Sequence, residues 1–281
     1  MKKYNTIILA GGEKGPLYDT TGYVEKALIP IRGKAMLTRV VETFHESSHV
    51  DKIVVVGSRN LESLPVMKHV AKRVRASHTL LRNILLGIGY VKHRIYHGRR
   101  RHDGYLISFC DAVFLTTEAV DETLQAIEDV DADIVLHYVE KSTFQKAGLP
   151  AKRTYIPIGD GLYTGSTIYY VRSFHKLFRI LPLMGKLRKH RKDPQKMLEL
   201  IGCEGRSVEE IEQAMSRKLK AKVRILVSAR AELGMDVDKP SDLELAQRLL
   251  DSEAPHNYTA GRMKAEVCAA LKRRLAADAS A

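Results

Sequence analysis

Residues 5–37 read NTIILAGGEKGPLYDTTGYVEKALIPIRGKAML. The first six, Asn5 to Ala10, form a largely apolar run that predicts a buried strand, and Gly11 and Gly12 follow it at once. Ligands of open α/β sheets bind just beyond the carboxyl ends of strands, where free backbone N–H groups can bind phosphate. A plain tight turn also needs glycine, so the glycine pair alone does not separate these two interpretations.

Two common phosphate-binding motifs are absent from this loop. The glycines at 11, 12 and 15 lack the G-x-G-x-x-G spacing of dinucleotide-binding proteins, and no G-K-[ST] closes the loop as in P-loop hydrolases. The sequence therefore disfavours simple dinucleotide binding and P-loop hydrolysis.

Outward from this stretch, strand patterns alternate with helix patterns. Strands are predicted at 5–10, 52–57, 105–110, 133–139, 153–158, 166–171 and 222–228, and helices at 36–47, 80–94, 117–128, 174–201, 207 onward and 241–250. The strand–helix order predicts an α/β fold, a single three-layer Rossmann-like domain with a mostly parallel sheet of about seven strands. We expect this domain at residues 1–251, a helical insert at about 173–220, and a C-terminal helix and tail at 252–281.

The composition narrows the class of protein. The 281 residues are 44% hydrophobic, which excludes a disordered or collagenous chain, and the net charge of +13 indicates an anionic partner. The cysteines are single (Cys110, Cys203 and Cys268), so neither a zinc site nor a disulfide framework is indicated, and a reduced, cytoplasmic setting is expected. No signal peptide or membrane-spanning run is predicted.

The motifs around the first loop resemble those of a known family. Leu9-Ala10-Gly11-Gly12, a variable loop, and then Lys26 before Ala-Leu-Ile-Pro and Gly33 are similar to the start of the MobA-like NTP transferases, nucleotidyltransferases of the GT-A superfamily. The resemblance continues in the same order through residues 81–83 (LRN), 109–116 (FCDAVFLT), 153–155 (RTY), 160–167 (DGLYTGST) and 236–243 (DVDKPSDL). This sequence departs from the family pattern in lacking the arginine of the first loop and in having Glu25 where proline or asparagine is usual.

The resemblance implies Mg²⁺-dependent transfer of a nucleotide from an NTP to a small anionic acceptor, with release of pyrophosphate. It implies catalytic roles for Lys26, Asp111 and Asp238, with Asp111 and Asp238 as the metal ligands and Asp236 as an alternative to Asp238. The implied nucleotide-binding residues are Leu9, Ala10, Gly11, Gly12, Lys14, Lys26, Arg82, Asn83 and Asp111. The implied acceptor-binding residues are Arg153, Tyr155, Thr164, Gly165 and Ser166.

Two other functions remain open at this stage. A GT-A glycosyltransferase would use a nucleotide sugar, but it should carry a D-x-D motif after the middle strand, where Asp111 is followed by Ala112 and Val113. A catalytically silent protein would bind the nucleotide without releasing pyrophosphate. Nucleic acid is a less favoured partner, because the basic run with His93, His97 and His102 has no aromatic-rich RNA-binding module around it.

The segment 174–196 is strongly basic through Lys186, Arg188, Lys189, Arg191 and Lys192, and Pro182, Gly185 and Pro194 predict breaks in its helix. Three interpretations stay open: a lid that binds the anionic acceptor, a peripheral contact with an anionic membrane, and a solvated surface helix.

Overall fold

An eight-stranded sheet forms the centre of the protein in the computed structural model, which describes residues 2–12, 14–95, 104–150, 153–190 and 192–250. The strands of these residues are β1 (Tyr4–Leu9), β2 (Pro30–Ile31), β3 (Lys34–Ala35), β4 (Val50–Gly57), β5 (Lys72–Arg75), β6 (Tyr105–Phe109), β7 (Ile134–Glu140), β8 (Ile156–Ile158), β9 (Gly161–Val171) and β10 (Val223–Ser228). β2 and β3 form a small hairpin. The main sheet has the order β10-β7-β9-β6-β1-β4-β5, with β8 paired to β9.

The sheet is mostly parallel, which confirms the predicted fold class. β1 pairs in parallel with β4 and β6, β4 with β5, and β7 with β10, whereas β9 runs antiparallel to β6, β7 and β8. The strand of the main sheet that the sequence did not predict is β5, whose residues KRVR include a single apolar residue, Val74. It lies at the sheet edge, where charged side chains are tolerated and hinder pairing with another chain.

Helices cover both faces of the sheet. They are α1 (Tyr18–Thr21), α2 (Met36–Glu46), α3 (Leu80–Tyr90), α4 (Thr117–Glu128), α5 (Lys141–Lys146), α6 (Phe174–Lys189), α7 (Pro194–Ile201), α8 (Val208–Leu219) and α9 (Pro240–Leu249). Side chains of β1 alternate between the two layers: Ile8 packs in the apolar cluster that includes α2 and α4, and Ile7 in the cluster that includes α3 and α6. Both isoleucines are fully buried, and each such side chain contributes about 2 kcal/mol.

The predicted helical insert is part of the second layer. Leu177, Ile180, Leu181 and Leu183 of α6 are buried in the cluster shared with α3, so its apolar face lies against the protein. The predicted breaks at Pro182 and Gly185 are wrong, because α6 continues through both residues with Pro182 exposed. The break occurs before Pro194, where the Asp193 side chain caps α7 by accepting a 3.0 Å hydrogen bond from the Lys196 N–H.

Other helix ends differ from prediction by a few residues. The cap of α4 is Thr116, whose hydroxyl accepts a hydrogen bond from the Ala119 N–H at 3.1 Å, and α9 begins at Pro240. Ser207, where a helix was predicted to begin, caps α8, because its hydroxyl accepts a 3.1 Å hydrogen bond from the Glu210 N–H. The C-terminal helix and tail at 252–281, Cys268, His97, His102 and Arg191 lie outside the described residues.

None of the described helices combines the length and the apolar character that crossing a bilayer requires.

Candidate active site

The carboxyl ends of β1, β4 and β6 meet at one edge of the sheet. The register pairs Leu9 with Val56 on one side and with Phe109 on the other, and the Cys110 N–H extends the ladder by donating to the Leu9 carbonyl at 3.1 Å. The glycine pair after β1 and Asp111 after β6 therefore leave the sheet side by side. This is the edge at which open α/β sheets bind their ligands.

Lys26 reaches this edge from a short 3-10 turn, Lys26–Leu28, that is anchored on both sides. Ala27 and Ile29 are buried in the core. On the other side of Lys26, the Glu25 carboxylate accepts hydrogen bonds from the Ser58 hydroxyl and the Asn60 side-chain amide, both at 2.5 Å. Glu25, the residue that departs from the family pattern, thus ties the lysine turn to the loop after β4.

The Lys26 ammonium lies between two carboxylates that are far apart in the sequence. Its Nζ is 2.6 Å from Oδ2 of Asp111 and also forms an ion pair with Asp238. The side chains of Lys26 and Asp111 are only 24% and 18% exposed, whereas Asp238 is 59% exposed. The three residues predicted to be catalytic are therefore brought together.

Asp236 has a different partner from Asp238. Its Oδ1 accepts a 2.8 Å hydrogen bond from Nη1 of Arg153, and the Arg153 guanidinium lies 5.6 Å from the centre of the Phe144 ring. The buried Nε of Arg153 has no hydrogen-bond partner among the described residues. Arg153, predicted on the acceptor side, is thus held beside the carboxylate cluster with one donor unused.

Burial and charge together shift the pKa values of this cluster. Burial of Lys26 favours its neutral form, but Asp111 and Asp238 outweigh that effect and raise the pKa of the amine above its ordinary value. Burial raises the pKa of the Asp111 carboxyl against the opposing effect of Lys26, and Asp236 and Asp238 add to the rise. The site is therefore an acidic cluster with a single lysine at its centre, and it is suited to bind additional positive charge.

Gly11 and Asn83, both predicted to bind the nucleotide, lie close together. A Cβ at Gly11 would overlap with the Cβ of Ala76 and lie 3.2 Å from Nδ2 of Asn83. The side-chain Oδ1 of Asn83 accepts hydrogen bonds from the Ser77 N–H at 2.6 Å and from the Ser77 hydroxyl at 2.9 Å. Asn83 is buried beside the glycine loop, and its role in nucleotide binding stays a prediction. Leu9 and Ala10 are buried at the strand end, and Gly12 is exposed beyond them.

Two basic residues predicted to bind the nucleotide are less firmly held. The Lys14 ammonium lies 3.6 Å above the centre of the Tyr18 ring, in an exposed loop. Arg82 is exposed in the first turn of α3, and its backbone N–H bonds to the Thr79 hydroxyl at 3.3 Å. Neither contact places the charged group on the carboxylate cluster, so their roles stay predictions.

The acceptor side follows β9. Thr164 and Gly165 pair with Val139 and Tyr138 of β7, and Gly165 is exposed at a point where β9 is not paired with β6. Ser166 is buried, and its hydroxyl bonds to the carbonyl of Ile168 at 3.1 Å, so it supports the strand locally. Tyr155 lies under the Lys141 ammonium, 5.7 Å from the ring centre.

Tyr169 lies in this region, and the sequence analysis placed it in a predicted strand without assigning it a role. Tyr169 packs edge-to-face on Phe109 with ring centres 6.1 Å apart, and its hydroxyl lies 3.8 Å from the position of a Cβ at Gly165. Its place in the strand pattern SxxYY only indicates a buried aromatic residue, because the register shift between β7 and β9 that lies between Gly165 and Tyr169 cannot be read from the sequence.

Solved structures resemble the whole described domain. A hypothetical transferase from Thermus thermophilus is 27% identical, with a TM-score of 0.68 over 86% of this chain and 100% of that one. The fold is also shared with a CMP:2-keto-3-deoxy-manno-octonic acid synthetase complexed with CTP (17% identity, TM-score 0.55, 87% of this chain and 97% of that one). The same holds for 4-diphosphocytidyl-2C-methyl-D-erythritol synthase from Anaerococcus prevotii (15%, 0.53, 88% and 95%).

No curated protein is significantly similar to this chain in sequence. The family model of the MobA-like NTP transferase domain matches residues 6–232, which include the glycine loop, Lys26, Asp111 and β9. The chain therefore belongs to the MobA-like NTP transferase family and is a nucleotidyltransferase.

Proposed function

We propose that this protein transfers a nucleoside monophosphate from an NTP to a small anionic acceptor and releases pyrophosphate, with Mg²⁺ bound by Asp111 and Asp238. The observation that carries the proposal is the convergence of Lys26, Asp111 and Asp238 at the sheet edge beside the glycine loop. These residues lie 85 and 212 positions apart from the lysine in sequence, so only the fold assembles them.

The reaction needs positioning and charge neutralisation more than covalent help from the protein. An acceptor oxygen attacks the α-phosphorus, a new P–O bond forms, and the bond to the bridging oxygen of the β-phosphate breaks with its electron pair leaving on pyrophosphate. Lys26 neutralises charge on the α- or β-phosphate, and the backbone at Gly11 and Gly12 lets the phosphates approach the end of β1 closely.

The two carboxylates suit Mg²⁺ in number and chemistry. Mg²⁺ prefers oxygen ligands and is usually held by one or two carboxylates together with substrate phosphates. Asp111 and Asp238 already converge on one cation, the Lys26 ammonium, while Asp236 is occupied by Arg153. Asp111 and Asp238 would hold the metal, whose positive charge would offset the charge of the leaving pyrophosphate.

Pyrophosphate release in the presence of Mg²⁺, each NTP and a panel of phosphorylated and phosphonate acceptors tests the proposal. Asp111→Asn should lower turnover at least about a hundredfold, by comparison with the loss of one preorganised electrostatic contact. Asp129→Asn, an exposed residue at the end of α4, is the matched control and should behave like wild type. Turnover of Asp111→Asn within about threefold of wild type would remove Asp111 from the site.

NTP binding without pyrophosphate release from any acceptor would instead favour the silent nucleotide-binding protein. Equilibrium binding of each NTP therefore accompanies the turnover assay, so that a missing acceptor and a missing nucleotide site give different results.

A further inference from the structure

We propose that Gln247 is a positioning residue of the active site, which clamps α9 to the β2–β3 hairpin and thereby holds the carboxylate of Asp238 at the Lys26 ammonium. Gln247 lies beyond residues 6–232, the part of the chain that the family model matches. The inference rests on the proposed nucleotidyl transfer for its effect on turnover, whereas the clamp itself is a property of the folded chain.

The first support is the set of hydrogen bonds between Gln247 and the hairpin. The side-chain Nε2 of Gln247 donates to the Pro30 carbonyl at 3.0 Å, and its Oε1 accepts from the Arg32 N–H at 3.0 Å. The Arg32 side chain also donates, through Nε, to the backbone carbonyl of Gln247 at 2.5 Å. One amide therefore uses both its donor and its acceptor on the hairpin, at sequence separations of 217 and 215 residues.

The second support is the backbone strain at the tip of the hairpin. A two-residue hairpin turn of this kind needs positive φ at both positions, and Gly33 supplies the second with φ 79°. Arg32 supplies the first with φ 49°, in the left-handed region that side chains other than glycine rarely adopt. Such strain persists where the surrounding structure holds it, and the bonds from Arg32 to Gln247 hold it here.

The third support is that the two sides of this clamp lead to the two partners of the ion pair. On the hairpin side, the Ile29 N–H donates to the Lys26 carbonyl at 3.1 Å, so the lysine turn ends where β2 begins. On the helix side, the Asp242 carboxylate in the first turn of α9 accepts from the Asp238 N–H at 3.2 Å. The path from Lys26 through the hairpin, Gln247 and α9 to Asp238 therefore forms a ring that the ion pair closes.

The clamp acts mainly on the Asp238 side of this ring. The hairpin is also fixed from the core, because Ile31 is fully buried and its carbonyl accepts hydrogen bonds from Nε and Nη2 of the buried Arg39 at 3.2 and 2.8 Å. Asp238 is 59% exposed, so fewer contacts of its own side chain hold it in place. Loss of the Gln247 amide should therefore let α9 and Asp238 shift while the hairpin stays where it is.

Gln247→Leu tests the proposal, with Gln213→Leu as the matched control. Leucine removes the side-chain donor and acceptor of Gln247 but keeps a similar size and helix propensity, so α9 should be retained. Gln213→Leu makes the same chemical change at an exposed position of α8, a helix that packs in the layer opposite to α9.

We expect Gln247→Leu to lower kcat about tenfold or more, because a displacement of about 1 Å in a positioned group can cost about a hundredfold. The acceptor KM should stay unchanged, since the pair of Arg153 and Asp236 is not part of the clamp. Gln213→Leu should match wild type in both constants. Equal kcat in Gln247→Leu and wild type would overturn the proposal.

A double-mutant cycle tests the positioning without any substrate or metal. The free energy of unfolding in urea is measured for wild type, Gln247→Leu, Lys26→Ala and the double variant. If Gln247 holds Asp238 at the ammonium, part of the ion pair is already lost in Gln247→Leu, so the double variant should lose less stability than the sum of the two single losses. Losses from substitutions without shared partners usually add, and those of Gln213→Leu and Lys26→Ala should do so. Additive losses for Gln247→Leu and Lys26→Ala would overturn the proposal.

The two measurements also separate this proposal from the proposed function. Absence of turnover with every NTP and acceptor, together with less than additive losses in the cycle, would reject nucleotidyl transfer and keep Gln247 as the residue that positions the ion pair. Turnover in wild type, together with an unchanged kcat in Gln247→Leu and additive losses, would keep nucleotidyl transfer and reject the clamp.

Discussion

The backbone N–H of Val237 donates a 3.1 Å hydrogen bond to the backbone carbonyl of Asp111. This bond joins the segment before α9 to the end of β6, and the two aspartates that flank Val237 have different partners. Asp238 then meets Lys26 and Asp236 meets Arg153. The triplet Asp236-Val237-Asp238 is therefore divided between the predicted metal and the acceptor side.

This division predicts different effects for the two aspartates. Asp238→Asn should lower turnover by about a hundredfold and raise the Mg²⁺ concentration needed for half-maximal rate, because one carboxylate ligand is lost. Asp236→Asn should keep the Mg²⁺ requirement and raise the acceptor KM, since Arg153 loses the partner that orients it. Steady-state kinetics with varied Mg²⁺ and varied acceptor measure both. The reverse pattern would make Asp236 the metal ligand.

Lys26 should affect both catalysis and stability. Replacing it by alanine leaves the buried Asp111 without its cationic partner, so we expect the free energy of unfolding to fall by about 1–3 kcal/mol and turnover to fall sharply. Mg²⁺ added alone should then stabilise Lys26→Ala more than wild type, where the ammonium already lies between the carboxylates. Thermal unfolding with and without Mg²⁺ measures this difference.

Lys34→Ala is the matched control for Lys26→Ala, because Lys34 is about equally exposed and pairs with Glu42 at 3.0 Å away from the carboxylate cluster. Mg²⁺ should stabilise Lys34→Ala against thermal unfolding by the same amount as wild type. If Mg²⁺ raised the unfolding temperature of Lys26→Ala and of wild type by the same amount, the ammonium and the metal would not compete for one place.

Much of this architecture follows from sequence pattern. The buried strands carry continuous apolar runs. Their order with the helices is enough to predict a three-layer domain with a mostly parallel sheet. The residues that converge on Lys26 could be predicted only through the family resemblance, since no local spacing links positions 26, 111 and 238. β5 was missed because an edge strand needs few apolar residues, and its single valine gives no alternating pattern.

The interpretation of α6 shows where local rules fail. Proline and glycine predict a broken helix, yet four buried leucine and isoleucine side chains hold α6 against the sheet through both residues. Tertiary packing outweighs local propensity here. The pairing of Glu25 with Ser58 and Asn60 was equally hidden, because it joins two loops whose distance in space is set by the sheet.

The two glycines after β1 should respond differently to alanine. At Gly11 the new methyl group would overlap with Ala76, which is held on the backbone beside Gly57, so we expect a loss of about 1–3 kcal/mol in the free energy of unfolding. At Gly12 a Cβ would have no atom of another described residue within 4 Å, its chain neighbours aside, so the free energy of unfolding should change by less than about 0.5 kcal/mol. If the phosphates lie against Gly12, Gly12→Ala should still raise the NTP KM. Urea unfolding and NTP kinetics measure the two effects, and unchanged NTP binding in Gly12→Ala would move the phosphates away from this residue.

His137 should make the protein less stable in mild acid. Burial lowers its pKa from 6.5 to about 4, and its ring nitrogens have no hydrogen-bond partner among the described residues. The unfolded chain therefore binds a proton below about pH 6.5 that the folded chain does not bind until about pH 4, so the free energy of unfolding falls as pH falls through this window. The full difference in pKa corresponds to a change of about 3 kcal/mol in the free energy of unfolding.

His137→Leu has no titrating group at this position and should remove this pH dependence. Urea unfolding of both proteins is measured across the window, and the difference between them cancels the contributions of the other titrating residues. Parallel stability curves for wild type and His137→Leu would show that His137 takes up its proton in the folded state as readily as in the unfolded one, which its 3% exposure argues against.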